Sequence, residues 1–361
     1  MPNLRGPARV AGFGFLVACG LTARLFLPWY APASVDLESY SIVAETVANG
    51  RPLYETRRYN YPPVWAGAIR ALDLIAGAGK MSFDGVVRSF LGVIDVATVV
   101  VLMRLARCRS IDRWRVAGLF LANPVSIWVT AVQGQFDNVS VLFLLIAILA
   151  SERRPTTGRA AALLAVGFLT ASILIKQVTA LHPLLWLRRV PRRVLLLAPY
   201  IVTAAAFLPF ARQWRAIRDN VLFYRAVPRS YGFSEWILYN SRWGAPVALL
   251  GLAAGLVAAW RLKDESDLVR ACLILFLVLL AFAPGFGTQY LVWPLTLGAV
   301  RSGAGYFLCT ISGILWTLGS HLGVPGSGQF MGHLIWLCIV FWLVREFSGI
   351  RPRVGGQEPV G

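Results

Sequence analysis

Apolar residues run along this chain in long blocks, with polar clusters between them, rather than in the strict alternation of a half-buried strand. The blocks cover approximately residues 10–28, 87–104, 115–132, 137–151, 160–175, 178–188, 194–211, 245–261, 269–283, 289–300, 304–319 and 330–345. Several approach the roughly 20 residues that carry a helix across a bilayer, and the shorter ones read as buried or broken helices. The pattern predicts an all-α, polytopic membrane protein with about twelve transmembrane helices, forming a single membrane-embedded domain over residues 1–361.

Composition agrees with that pattern and removes one competitor. Hydrophobic residues make up 57% and charged residues 14% of the chain, too few charges for a soluble surface of this size. A net charge of +18 would suit nucleic acid, but the basic residues stand in short clusters between apolar blocks rather than along one polar face. They read as topology signals, and no nucleic-acid partner is expected. The five cysteines (Cys19, Cys108, Cys272, Cys309 and Cys338) are scattered, without a CxxC pair or a histidine at metal-ligand spacing, so free thiols are expected. The first block, from about Val10 to Pro28, is longer than a signal-peptide core and lacks a convincing cleavage site, so it reads as an uncleaved anchor.

Arginine sets the orientation. With Arg5 and Arg9 cytoplasmic, the segments Arg104 to Arg115, Glu152 to Arg159, Arg188 to Arg193, Arg261 to Arg270, Arg301 and the C-terminal tail fall on the same side, most of them arginine-rich as the positive-inside rule requires. Tyr61 to Gly77 is apolar enough for a span, but counting it would move the RLARCRSIDRWR cluster outside. It is therefore laid in the interface as a juxtamembrane helix opened by Pro62 and Pro63. In this register the external face collects the loop 29–86, the GQFDN corner at 134–138, Lys176 and Gln177, the loop 212–243, the GFGTQY corner at 285–290 and the turn around His321. Polar groups converging on one membrane face mark a site, although any one of them alone could be an ordinary loop end.

The segment from Asp36 to Trp65, DLESYSIVAETVANGRPLYETRRYNYPPVW, is the densest of these, with acids, bases and aromatics between apolar blocks. Its first acid, Asp36, is the leading catalytic candidate. In 212–243, Trp214, Ile217 and Val221 share one face of a helix and Arg212, Arg215 and Arg218 lie elsewhere around it, the pattern of a helix floating on the outer leaflet. Six arginines there, Arg225 and Arg229 among them, face only Asp219 and Glu235. That excess suits a phosphate-bearing lipid, because guanidinium groups bind phosphate oxygens in pairs; contact with anionic headgroups would also account for it. Lys176, ending the run ILIKQVTALHP, reads either as a snorkelling anchor or as a phosphate ligand. Tyr290 and Trp293 read either as site residues or as interfacial belt aromatics. Asp95 and Arg24 are intramembrane charges that could pair with groups in the bundle interior. No P-loop, dinucleotide fingerprint or HExxH motif is present in the sequence.

Taken in order, four motifs resemble the GT-C superfamily of integral-membrane glycosyltransferases, which use polyprenyl- or dolichyl-phosphate sugars. The Asp36 loop, with Gly50-Arg51-Pro52-Leu53-Tyr54 and Tyr61-Pro62-Pro63, resembles their first external loop. GQFDN at 134–138 and IKQVTAL at 175–181 resemble the Gly-Gln-x-Asp and Lys-Gln motifs of dolichyl-phosphate-glucose glucosyltransferases and their bacterial relatives. TQYLVWPL at 288–295 is similar to the Gln-Tyr-x-x-Trp element of the GPI mannosyltransferases and of bacterial polyprenyl-phosphate-mannose mannosyltransferases. The resemblance spans roughly residues 10 to 345.

It implies an inverting hexosyl transfer, of mannose first of all, from a polyprenyl-phosphate carrier to a lipid-linked or glycan acceptor on the non-cytoplasmic face; the short loops and high arginine content suggest a bacterial inner membrane, with that face periplasmic or exterior. Asp36 would be the general base. Lys176, Arg225, Arg229 and His321 would bind the donor phosphate, and Glu38, Tyr61, Gln135, Asp137, Gln177, Gln289 and Tyr290 the substrates. Leu37 separates Asp36 from Glu38, where the family often has adjacent acids, and that DxE spacing could hold a divalent cation. A metal-independent mechanism without cofactor is favoured, since the basic outer loop can supply the positive charge. The competing class is a polyprenyl-lipid or glycolipid transporter, which predicts an internal repeat and polar groups near the bilayer midplane. A non-catalytic assembly factor is the third.

Overall fold

The computed structural model describes residues 7–32, 34–152, 159–187, 189–190, 192–222, 231–232, 244–261, 268–282, 286–323 and 327–348, and every regular element among them is helical. In chain order these are α1 (Pro7–Tyr30), α2 (Val35–Ala48), α3 (Val64–Gly79), α4 (Phe83–Cys108), α5 (Arg113–Leu121), α6 (Pro124–Ile127), α7 (Asp137–Glu152), α8 (Arg159–Ile175), α9 (Ala198–Ala206), α10 (Trp214–Ile217), α11 (Gly244–Arg261), α12 (Leu268–Phe282), α13 (Val292–Arg301), α14 (Ala304–His321) and α15 (Ser327–Ser348).

Among the described residues, three helical stretches are long and apolar enough to cross a membrane: Ala11–Tyr30, Phe83–Cys108 and Phe330–Ser348. The number rises to five if two bent pairs, Arg113–Leu121 with Pro124–Val132 and Arg193–Ala206 with Leu208–Leu222, each count as one span. This is what a membrane protein requires, but it is fewer than the twelve expected. The reason lies in proline and length. Asn123 and Pro124 stop α5, and the Asn123 side chain accepts hydrogen bonds from Val125 N (3.0 Å) and Ser126 N (3.1 Å), starting α6 in a new direction at 52°. The expected span 178–188 is instead two 3₁₀ turns, Gln177–Thr179 and His182–Trp186, with Pro183 lacking the N–H a longer helix needs. Helices α7, α8, α12 and α13 have 16, 17, 15 and 10 residues, shorter than a straight crossing demands.

Helices α7 and α8 lie side by side, as do α14 and α15, α1 and α5, and α11 and α12; α4 runs between α1, α5 and α7. Phe15 and Leu25 of α1, Val93 of α4 and Val344 of α15 stay exposed, an outward apolar surface suited to lipid. Close approach depends on small residues. A side chain at Gly20 would meet the Leu121 carbonyl oxygen at 2.3 Å, so α1 and α5 touch backbone to backbone. One buried polar network pins this part of the bundle. Arg24 Nε donates to Asp95 Oδ2 (2.6 Å), and Arg24 also donates to the Leu121 carbonyl (2.5 Å) and to Ser126 Oγ (2.9 Å). Thr130 Oγ1 donates to Asp95 Oδ2 (2.8 Å), and Asn138 Nδ2 donates to Oδ1. The two intramembrane charges noted in the sequence are therefore partners of each other, and they tie α1, α4, α6 and α7 together.

A second apolar cluster sits beneath the 29–86 segment. It joins Leu37, Tyr40 and Val43 of α2, Tyr54 and Tyr59 of the following loop, Trp65 and Ile69 of α3, Phe136, Ile175, Ile217 and Val221. Helix α3 begins directly after Pro62 and Pro63, where the juxtamembrane helix was expected to open, and it buries Trp65, Ile69, Leu72 and Ala76 against the protein. The helix expected to float in the interface does otherwise. Ile217 and Val221 are buried against the first loop while Trp214 stays exposed, and Gln213 Oε1 accepts from Tyr54 N (2.8 Å) as Asn220 Nδ2 donates to Tyr54 O (2.8 Å). Its apolar face was satisfied by protein rather than by lipid.

Candidate functional site

The site is assembled where α2 starts. Ser34 caps that helix, its Oγ accepting from Leu37 N (3.2 Å) and donating to the Gln133 carbonyl (2.7 Å), so the first turn of α2 is fastened to the turn at 133–136. That turn follows a π-helical segment, Trp128–Val132, and reverses at Gly134, whose φ of +72° suits glycine. A Cβ there would also meet Leu37 Cδ2 at 2.8 Å. These two restraints bring Asp36 beside Gln135.

Below Asp36 lies a buried ion pair. Lys176 Nζ, at the end of α8, donates to both oxygens of Asp137, each at 2.8 Å, and Trp293 Nε1 donates to Asp137 Oδ1 at 2.5 Å. Asp137 is wholly buried and Lys176 is 6% exposed. The ammonium also lies over three aromatic rings, 5.0 Å from the centroid of Tyr61, 5.1 Å from Phe136 and 5.8 Å from Tyr290. Phe136 stacks on Trp65 at 4.2 Å and meets Tyr61 edge-on at 4.7 Å, and Tyr290 stacks on Trp293 at 4.6 Å. The floor, Gln135, Asp137 and Lys176, is buried; the rim, Asp36, Tyr61, Gln133, Gln177 and Tyr290, is partly exposed.

The electrostatics follow. Burial pushes the Asp36 carboxyl above its ordinary value, an effect opposed by the neighbouring Gln135 amide and the Lys176 charge and reinforced by Asp137. The Gln135 Nε2 group completes no hydrogen bond among the described residues, so it faces the carboxylate without closing on it and offsets the burial only in part. Tyr40 OH donates to Gln135 Oε1 at 3.5 Å, and its phenol is held well above the usual range by burial, so it stays a neutral donor. A carboxylate with a raised pKa, at the rim of a buried polar floor, is equipped to accept a proton from a bound hydroxyl.

Of the residues singled out in the sequence, Asp36, Tyr61, Gln135, Asp137, Lys176 and Tyr290 are brought into this one group. Gln177 follows Lys176 and donates from Nε2 to the Asn60 carbonyl (2.9 Å), holding the loop before Tyr61. Gln289 folds back against Gly287, where a Cβ would lie 2.3 Å from its Oε1. Glu38 is exposed and stands two positions beyond Asp36 in the same helix, a spacing that turns the two carboxylates apart and prevents their chelating one ion together. His321 is exposed at the end of α14, its ring edge-on to Trp128 at 5.1 Å rather than within the group. Arg225 and Arg229 lie outside the described residues, as does most of the 212–243 loop.

Sequence reasoning missed two contributors and left a third open. Trp293, read either as a site residue or as a belt aromatic, joins the group, its indole N–H binding Asp137 across 156 positions. Phe136, the variable position of GQFD, forms the aromatic centre. Gln133 donates from Nε2 to Thr288 Oγ1 (3.2 Å), joining the turn to the strip before Tyr290; the paired glutamines of Gln-Gly-Gln were the available signal. A separate groove of about 590 Å³ opens between the Gly50–Leu53 turn, the start of α3 and residues 206–213, and its polar side chains, Arg51 and Gln213, are engaged with Glu45 (2.6 Å) and Tyr54 N (2.8 Å). None of the Asp36 group lines it. No protein-family model matches this chain, and no curated protein matches it significantly.

Proposed function

We propose that this protein is an inverting glycosyltransferase that moves a sugar, mannose in the first instance, from a polyprenyl-phosphate carrier to a hydroxyl of a lipid-linked or glycan acceptor. The reaction takes place at the non-cytoplasmic face of a bacterial inner membrane, on a bundle of about twelve membrane segments in which short and bent helices complete the count. One observation carries the reading: residues from separate polar corners of the chain, Asp36, Tyr61, Gln135, Asp137, Lys176, Tyr290 and Trp293, meet in a single cluster.

In this mechanism the acceptor oxygen attacks the anomeric carbon, the bond from that carbon to the phosphate oxygen breaks, and the acceptor proton passes to Asp36. Polyprenyl phosphate leaves with the bonding electrons, and the arginines of the 212–243 loop are the cations available to it. Transfer of radiolabel from polyprenyl-phosphate-mannose to a membrane lipid extract, with wild type set against Asp36→Asn, tests this. Loss of transfer with retained donor binding supports Asp36 as the base; equal transfer by both proteins refutes it.

A second reading, a polyprenyl-lipid transporter, is favoured by the two helix pairs bent at 52° and 57°, since broken helices recur where transporters bind substrate. Carrier movement between leaflets of reconstituted vesicles, with no sugar transfer under any acceptor, would put it first.

A further inference from the structure

Lys176 has the residue type and position of a phosphate ligand, but most of its hydrogen-bonding capacity is already used. An ammonium has three protons. Two go to the oxygens of Asp137 at 2.8 Å, and the remaining face of the charge lies against the rings of Tyr61, Phe136 and Tyr290 at 5.0–5.8 Å. Asp36 adds a second carboxylate to the same pocket, so the three ionisable groups Asp36, Asp137 and Lys176 sum to −1 when all are charged. A phosphate placed here would meet a net negative site and would have to displace a buried carboxylate from its partner, whereas an uncharged ligand meets neither barrier.

Beside this quenched pair, amide groups are left over. Gln133 Oε1 and Gln177 Oε1 are buried acceptors without a partner among the described residues, and Gln135, 1% exposed, has Asp36 as the one neighbour its Nε2 donor acts on among them. Gln135 faces Asp36, Gln177 follows Lys176, and Gln133 is fastened to Ser34 through its carbonyl. Buried amide atoms without partners are costly to maintain, and a ligand that supplies both donors and acceptors removes the penalty. Aromatic faces next to neutral amides complete a surface that matches a sugar ring, with its hydroxyls on the edge and its C–H groups on the face.

Resting on the glycosyltransferase reading, we infer that the floor and rim around Asp36 form a subsite for the uncharged ring of a sugar, read by the Gln133, Gln135 and Gln177 amides. Lys176 is there a positioning residue that fixes Asp137, not a ligand of the carrier phosphate. The phosphate is held elsewhere on the external face.

Quenching of tryptophan fluorescence tests this, since Trp65 stacks on Phe136 and Trp293 binds Asp137. The probes are polyprenyl phosphate and polyprenyl-phosphate-mannose, titrated into detergent-solubilised full-length protein. Wild type should prefer the mannosyl carrier. Gln135→Leu and Gln177→Leu should each weaken the mannosyl carrier by about tenfold, the worth of one buried hydrogen bond, with the bare carrier unchanged and serving as the check on folding. Lys176→Met should leave bare-carrier affinity within about twofold. A tenfold loss of bare-carrier binding in both Lys176→Met and Lys176→Met/Asp137→Asn, the second of which strands no charge, makes Lys176 a phosphate ligand and overturns the inference, as does equal wild-type affinity for both carriers. Methyl α-mannoside identifies the ring: competition with the mannosyl carrier assigns the donor sugar, and simultaneous binding assigns the acceptor. If the sugar preference holds while wild type transfers nothing, the subsite stands and the enzyme reading falls.

Discussion

Lys176→Met tests the architecture of the site most directly. The substitution keeps the length and apolar stem of the side chain and deletes the charge, leaving Asp137 wholly buried with Trp293 Nε1 as its remaining side-chain donor. Removing one partner of a buried pair costs about 3–5 kcal/mol, because the other charge is stranded away from water. Both side chains are more than nine-tenths buried, at 7% and 0% exposure, so solvent screening does not reduce that figure. On a scale of about 2–4 °C per kcal/mol, the apparent Tm in detergent should fall by roughly 10 °C. The double variant Lys176→Met/Asp137→Asn removes the stranded charge and should recover more than half of the loss. Light-scattering thermal melts of the wild type, both single variants and the double variant complete the cycle. A loss below about 1 kcal/mol in Lys176→Met, or a double variant no more stable than the single, would show that this ion pair does not hold the 135–137 turn to α8.

Four further outcomes are expected. Arg24→Met should destabilise by about 3–5 kcal/mol, since Asp95 would keep only Thr130 and Asn138 as partners, and adding Asp95→Asn should restore much of it in the same melts; an unchanged Tm would refute the network's role. The acid limb of the kcat/KM profile should lie above the ordinary aspartate value of about 3.9, because Asp36 must be ionised to act and burial favours its neutral form; Gln135→Leu, by deleting a group that favours the carboxylate, should move the limb higher, and a downward move would contradict the assignment. The same raised pKa means that Asp36 contributes its stability in full below the ordinary carboxylate range and loses it as pH rises through the folded value, so Asp36→Asn should flatten that part of the stability profile. Gly134→Ala should cost about 1–3 kcal/mol and reduce transfer, because alanine strains at φ +72° and crowds Leu37; transfer at the wild-type rate would show that the turn tolerates another path.

Much of the site was legible because its residues stand at the ends of apolar runs, where a polar side chain is conspicuous: Asp36 after α1, Gln135 and Asp137 before α7, Lys176 after α8, Tyr290 before α13. Their partners were not legible. A pairing such as Trp293 with Asp137 leaves no trace in periodicity, and an indole near an interface has an ordinary explanation. Hydropathy also hid breaks within its apolar blocks, since it averages over Pro124 and Pro183, which end helices without lowering a window score much. Amphipathicity correctly grouped Ile217 with Val221 but says only that a face seeks an apolar environment, and here Leu53, Tyr54 and Tyr59 supplied it.

Two neighbouring residues link the bundle to the candidate chemistry. Asn138 belongs to the Asp95 network inside the bundle and Asp137 to the Lys176 pair at its rim, and one peptide bond separates them at the start of α7. Thr130 binds the same Asp95 from the π-helical segment that leads into Gln133 and Gln135. Both approaches to the 133–137 turn are therefore held by one buried carboxylate, while Asp36 arrives on α2, whose first turn is fastened through Ser34 and Leu37 and whose Tyr40 packs on Trp65 and Phe136. A floor fixed from within and an acid carried at the start of a separate helix fit the proposed reaction, in which the sugar ring must be held still and the proton acceptor must admit an acceptor hydroxyl beside it. Transport asks for the reverse, a substrate platform that moves between two faces, and a floor bound to α1, α4, α7 and α8 by buried charges is poorly built to move.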